Sequence, residues 1–254
     1  MPRFKLTIEY AGTRYSGWQV QKNARTIQGE IDRAVRTVTG RKDFELYGAG
    51  RTDAGVHALA QVAHLDVSTN LPAESLRRRV NDELPADINI LAAAQVPHRF
   101  HARHDALARR YLYQIARRRT AFAKAYVWWV REPFDVATMR DAAAQFVGMR
   151  DFKKFAAQVD RDEPDEPAPS TLVLVDRVDI IEDGALVLVG VEGSHFLWKM
   201  VRRMVGFLVE IGRGGPPPAD PARCTAPPSG LFLERVYYKG DSRDDPVRAA
   251  TPLT

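Results

Sequence analysis

A chain of 254 residues with 45% hydrophobic content can form one large or two small domains with real cores. No apolar run reaches the roughly 18 residues that a membrane helix needs, and the start, Met-Pro-Arg-Phe-Lys-Leu, reads as a strand without a signal-peptide core, so the chain reads as cytoplasmic. The lone Cys224 excludes an internal disulfide and a cysteine-rich zinc site, and a net charge of +5 points to an anionic partner.

Phe4 to Tyr10 alternates apolar and polar residues, as a half-buried strand does. Thr26 caps a helix with Ile27, Ile31, Ala34, Val35 and Val38 on one face. Phe44 to Tyr47 reads as a strand entering a glycine-rich segment, and Ala60 to Val67 as a second alternating strand. Pro72 opens a helix with Leu76, Val80 and Leu84 inside and Arg77 to Arg79 around the outside; Ile88 to Val96 is a strand. The order is βαββαβ, the ferredoxin-like unit.

The order then repeats. Tyr111 to Ala116 is a strand, and Asp135 caps a helix carrying Val136, Met139, Ala143, Phe146 and Val147. Thr171 to Ile181 and Ala185 to Val191 are strands joined at Glu182-Asp183-Gly184. Phe196 to Ile211 reads as a helix with Phe196, Met200, Met204, Leu208 and Ile211 at helical spacing, a stripe read as core. Leu231 to Tyr238 is the last strand. The fold class is therefore α/β of the α+β type. Two tandem ferredoxin-like lobes, 1–105 and 106–240, share a central, mostly antiparallel sheet with a cleft between them. The acidic, Pro-rich stretch 160–170 reads as a mobile loop and 241–254 as a poorly ordered tail.

Residues 48 to 57 read Gly-Ala-Gly-Arg-Thr-Asp-Ala-Gly-Val-His. Three glycines surround an Arg51-x-Asp53 pair, a spacing that invites a charge-assisted hydrogen bond holding the carboxylate ionised. An ionised Asp on such a turn can act as nucleophile or base, or it can be half of an exposed ion pair. Charge elsewhere is uneven. Asp160 to Glu166 sets five acids against Arg161, a net of −4, so the remainder of the chain carries +9. From His98 to Arg119 there are seven arginines, three histidines and one acid, Asp105, a run suited to phosphates.

Several functions compete for these features. A dinucleotide-binding turn needs its third glycine three residues after the second and a helix to follow; here the gap is five and a strand follows. A tandem, non-enzymatic RNA-binding module uses the same unit but carries an aromatic RNP1 strand, which neither lobe has. His98-x-x-His101-x-x-His104 lacks a supporting carboxylate or cysteine arrangement for a metal.

Gly50-Arg51-Thr52-Asp53-Ala54-Gly55-Val56-His57-Ala58 resembles the signature of the TruA family of tRNA pseudouridine synthases. The likeness runs along nearly the whole chain. It includes Tyr15 to Gln21 with Thr26-Ile27-Gln28, Gln61 to His64, Asn81 to Ile88, Phe100 to Arg103 and Arg109 to Tyr113. Asp151 to Phe155, Phe196-Leu197, Met200 to Gly206 and Gly230 to Leu233 follow in the same order. Two departures stand out. Ser170-Thr171 replaces an Arg-Thr step, and the stretch from Gly212 to Thr225 is short, as if a peripheral helix were missing.

The resemblance implies a pseudouridine-synthase fold and an isomerase that converts uridine to pseudouridine without cofactor or metal. It implies a tRNA substrate, modified in the anticodon stem-loop at positions 38, 39 and 40, and a homodimer. It makes Asp53 the catalytic residue, by covalent adduct or by charge and proton transfer, with Arg51 paired to it and in contact with backbone phosphate. It makes Tyr111 the ring that stacks on the flipped base, although its alternation with Tyr113 also fits a core strand. Arg109 and Arg110, the basic context of Tyr111, become substrate-binding residues with it. Arg202, a cation in an otherwise apolar helix, becomes a partner of Asp53 across the cleft.

Overall fold

The computed structural model describes residues 1–157 and 170–253, so the acidic stretch expected as a loop lies outside the described residues except for Ser170. The chain forms two compact units, 1–107 with 232–244 and 108–231 with 245–254.

The first unit begins with β1 (Arg3–Tyr10), whose alternate residues Phe4, Leu6, Ile8 and Tyr10 are buried. Helix α1 (Ile27–Thr39) starts where expected, with Thr26 Oγ1 accepting from Gly29 N at 3.2 Å, and ends at Gly40 in the left-handed region. Then come β2 (Glu45–Gly48), β3 (His57–Asp66), α2 (Ala73–Glu83) and β4 (Ile88–Val96). Strand β1 lies between β3 and β4, antiparallel to both, and β2 pairs antiparallel with β3. The βαββαβ order is as expected, and β10 (Leu231–Tyr237) adds to it by running parallel to β3, with Phe232 opposite His57.

In the second unit β5 (Ala108–Ala116), β9 (Leu186–Gly193), β8 (Leu172–Asp183) and β7 (Gly148–Asp151) form consecutive antiparallel pairs. A two-residue strand, β6 (Trp128–Trp129), pairs parallel with β5. Helix α3 (Val136–Ala143) is capped by Asp135, which accepts from Ala137 N at 3.0 Å and Thr138 N at 3.2 Å. It is shorter than its apolar stripe suggested. The chain tightens into a 3-10 turn at Ala144–Phe146, and Val147 is exposed. Helix α4 (Met200–Gly212) also starts late, because Lys199 takes φ 60° and breaks the continuation from Phe196. Its buried face of Met200, Met204, Val205 and Leu208 is core, as the spacing predicted.

The segment after Tyr238, expected as a loose tail, makes specific bonds. Gln114 Oε1 accepts from Ala250 N at 2.7 Å, and Arg110 Nη1 donates to Asp245 O at 2.6 Å. Among the described residues no helix is long and apolar enough to cross a membrane.

One polar group in the first unit works against stability. Asp32 on α1 has a buried oxygen without a hydrogen-bond partner, and burial pushes its carboxyl up to about 6, with Arg36 opposing. The folded state thus holds this proton more tightly than the unfolded chain, so stability is lost as pH rises from about 4 to 6. Asp32→Asn removes that loss. Urea denaturation is expected to show a gain of about 1 kcal/mol at pH 7, after allowing for solvent screening, that closes towards pH 4. A gain independent of pH would contradict this account.

Candidate active site

The segment carrying Asp53 has no regular structure of its own; neighbours hold it. Trp18 N donates to Thr52 O at 3.1 Å and Gly55 N to Tyr15 O at 3.3 Å, so residues 15–18 run along the turn. The two backbones are too close for a side chain between them. A Cβ on Gly17, already at φ +92°, would lie 2.5 Å from Thr52 O, and one on Gly12 would lie 1.9 Å from Val56 O. Side chains tie the turn to the sheet. The Tyr10 hydroxyl lies 2.8 Å from Thr52 Oγ1, Gly12 N donates to His57 Nδ1 at 3.1 Å, and Gln61 Nε2 donates to Gly50 O at 2.9 Å. The His57 ring stacks on Phe232 with centroids 4.8 Å apart.

Asp53 is half-buried, and Val56 N donates to its carbonyl at 3.1 Å. Arg51 is exposed and borders a shallow pocket with Trp18, Gln28, Tyr47 and Arg103. The expected ion pair is not made: among the described residues no salt bridge joins Arg51 to Asp53. The intervening Thr52 turns inward to Tyr10, and Arg51 faces solvent instead.

In the second unit, alternation on β5 separates residues that look alike in sequence. Arg109 and Tyr111 are half-buried, whereas Arg110 is 1% exposed and bonded to Asp245 O. Arg110 therefore has a structural task, and the expectation that it meets substrate is set aside. Arg109 Nη1 donates to Ser194 O at 2.8 Å, and Tyr111 meets Phe196 edge-on at 5.2 Å. Tyr113 is fully buried, with its hydroxyl donating to Pro227 O at 2.7 Å and its pKa raised by burial, against the opposing charge of Arg202. Arg202 is half-buried and bonded to both main-chain polar groups of one residue, Ala226. Its Nε donates to Ala226 O at 2.7 Å, and its carbonyl accepts from Ala226 N at 3.1 Å. Lys199, Arg202 and Arg203 put three cations at the positive end of the α4 dipole with no acid in the first turn, an unfavourable placement.

A family model described as tRNA pseudouridine synthase matches residues 6–105 and 142–239, which include Arg51, Asp53 and Arg202. The chain belongs to the tRNA pseudouridine synthase family. A protein of Geobacter sp. (strain M21) named tRNA pseudouridine synthase A is 39% identical over 252 residues, covering 94% of this chain and 99% of that protein. One of the same name from Nitrobacter winogradskyi is 41% identical over 254 residues, covering 94% and 97%. Among solved structures, a Cbf5-Nop10-Gar1 complex is similar at a TM-score of 0.37 and 12% identity; the alignment spans 92% of this chain but half of that one.

The histidines around residues 98–104, with His64, form a packing element. His64 Nδ1 accepts from Ala102 N at 3.2 Å, which requires a neutral ring, and burial, with Arg3 and His101 adding, pushes its pKa down to about 4. His101 lies 4.7 Å from His64 and 4.2 Å from His104, and its Nδ1 accepts from Arg103 N. Among the described residues no three His, Cys, Asp or Glu side chains converge as a metal set. The short stretch 212–225 contains a 3-10 turn at Pro221–Cys224. It backs α4 closely: a Cβ on Gly206 would lie 1.5 Å from Cys224 O, one turn beyond Arg202. Thr171, beside the departure at Ser170, donates to Asp151 Oδ1 at 2.6 Å.

Tyr10, Gly12, Gly17, His57 and Ala226 carry supporting tasks that the sequence reading did not assign. Gly17 is the most exacting of them. Gly17→Ala is expected to cost about 1–3 kcal/mol in chemical denaturation, from strain plus the contact with Thr52 O. Gly40→Ala, also at positive φ but with open space around it, is expected to cost less. Equal losses at the two positions would show that φ alone matters.

Proposed function

We propose that the chain isomerises uridine to pseudouridine in tRNA, in the anticodon stem-loop at positions 38, 39 and 40, with Asp53 as the catalytic residue. The observation that carries this reading is a half-buried Asp53 on a turn clamped by backbone bonds from residues 15–18, within a stretch matched by the family model. Conversion breaks the N-glycosidic bond, turns the uracil, joins C5 to C1′, and moves a proton from C5 to N1. Atoms and electrons balance, so no redox partner is needed. The target base leaves its stack first, which costs a few kcal/mol and is easiest in a loop or at a stem end.

Asp53 acts at C1′, where positive charge develops as the bond to N1 breaks. It serves either by forming a covalent adduct or by stabilising the oxocarbenium-like species. Tyr111 presents a half-buried ring for the extruded base, and Arg109 on the same face of β5 is a contact for the neighbouring backbone. Arg51, exposed beside the turn, meets phosphate. Arg202 supplies fixed positive charge to the reacting site. The working assembly is a homodimer.

Asp53→Asn is the decisive variant. It keeps the size of the side chain but removes the charge and the nucleophile. Folded protein is expected to bind an unmodified tRNA transcript normally and to form no detectable pseudouridine, mapped by position. Substantial turnover would defeat this mechanism, and a wild-type chain inactive on every tRNA would favour a non-enzymatic RNA-binding module. Tyr111→Phe keeps the stacking ring and is expected to retain most turnover. A fall of roughly a hundredfold at unchanged affinity would instead assign the hydroxyl to proton transfer.

A further inference from the structure

Residues 117–126 leave the end of β5 and return at β6. They carry Arg117, Arg118, Arg119 and Lys124 and no acid. At their tip Phe122 is 99% exposed, the most exposed large apolar side chain among the described residues. A monomer gains nothing from a phenylalanine held wholly in water.

The loop holds its shape from within. Ala123 is buried, its N–H donates to Thr120 Oγ1 at 3.3 Å, and Tyr126 N donates to Ala123 O at 2.8 Å. Gln114 Nε2, from buried β5, donates to Tyr126 O at 2.9 Å. Arg117 is anchored by Glu182 at 2.7 Å and lies 5.7 Å from the Phe134 ring. The ring is thus displayed from a braced loop, so little freedom is lost when it meets a partner. A single ring amid cations fits a polyanion with stackable faces. An apolar protein partner would call for a contiguous patch without this charge.

We propose that this loop is a second RNA contact, in which Phe122 stacks on an unpaired or terminal base of the tRNA while Arg118, Arg119 and Lys124 meet the adjacent phosphates. The proposal rests on the tRNA reading above and adds a contact carried by none of the residues given roles there.

The test compares Phe122→Ala, Phe122→Leu and Phe122→Trp for binding of an unmodified tRNA transcript over a range of salt, with thermal melts to confirm folding. Alanine and leucine are each expected to weaken binding by about tenfold, within the usual range for loss of one stack, and tryptophan to bind at least as tightly as wild type. The salt slope stays unchanged in all three, because no phosphate contact is lost. Arg118→Ala with Arg119→Ala lowers the slope by about one for each phosphate contact removed. Phe122→Ala at wild-type affinity overturns the proposal, as does leucine restoring affinity, which would indicate burial without stacking. Sedimentation of the RNA-free protein supplies a further check: dissociation of the Phe122→Ala protein into smaller species would assign the ring to contact with a second copy and overturn the proposal. A wild type that neither binds nor modifies tRNA defeats the underlying reading as well. An active wild type with an indifferent Phe122 defeats this proposal alone.

Discussion

The turn that carries Asp53 depends on one close approach, that of the backbone of residues 12–18 to residues 52–56. Two glycines permit it, and the bonds from Trp18 N and Gly55 N hold it. A carboxylate on an unbraced loop would sample many positions, and displacement by about 1 Å is enough to cost two orders of magnitude in rate. Here the turn is fixed by main chain, with Tyr10 and His57 extending the hold into β1 and β3. The sheet itself supplies the rigidity: Tyr10 pairs with Ala58 across β1 and β3, and Phe232 on β10 lies opposite His57. An irregular segment is thus made precise by regular ones, which is what a preorganised site requires.

The second unit departs from local preference in a corresponding way. Cations at the start of α4 oppose the helix dipole, and the chain enters the helix through a non-glycine residue in the left-handed region. Neither choice favours folding, and such departures concentrate where function demands them. Arg202 is kept in place by Ala226, and Gly206 lets the segment 221–226 approach the helix closely enough to reach it. The stretch after α4, short in sequence as if a peripheral helix were missing, leads into the brace for that arginine.

Much of this was legible in the sequence. Thr26 and Asp135 announced helix starts because a cap is a local device with a local signature. The apolar stripes located the buried faces of α1, α2 and α4 for the same reason. Helix ends were harder. Phe196 fits the stripe of α4 and Val147 that of α3, yet Phe196 turns to Tyr111 and Val147 lies beyond a 3-10 turn. Periodicity cannot register a backbone break that leaves the spacing intact. The supports of Asp53 were least legible, because Gly12 and Gly17 meet partners some forty residues away and a glycine gives no sign of what it must approach. The pairing of Arg51 with Asp53 failed because spacing alone did not show that the intervening Thr52 would be drawn inward.

The basic run illustrates the difference between charge counted and charge available. Seven arginines lie between His98 and Arg119, but strand alternation withdraws Arg110 into the core, where it fastens the C-terminal segment. Arg109 spends one arm on Ser194 O, and Arg117 is matched by Glu182. Arg99, Arg103, Arg118 and Arg119 are exposed, and all four lie outside the strands. A polyanion therefore meets fewer cations than composition suggests, displayed on the segments flanking β5. Contacts of that kind position a nucleic acid without reading its sequence. The choice of uridine then rests on the shape of the RNA and on whether a base can leave its stack.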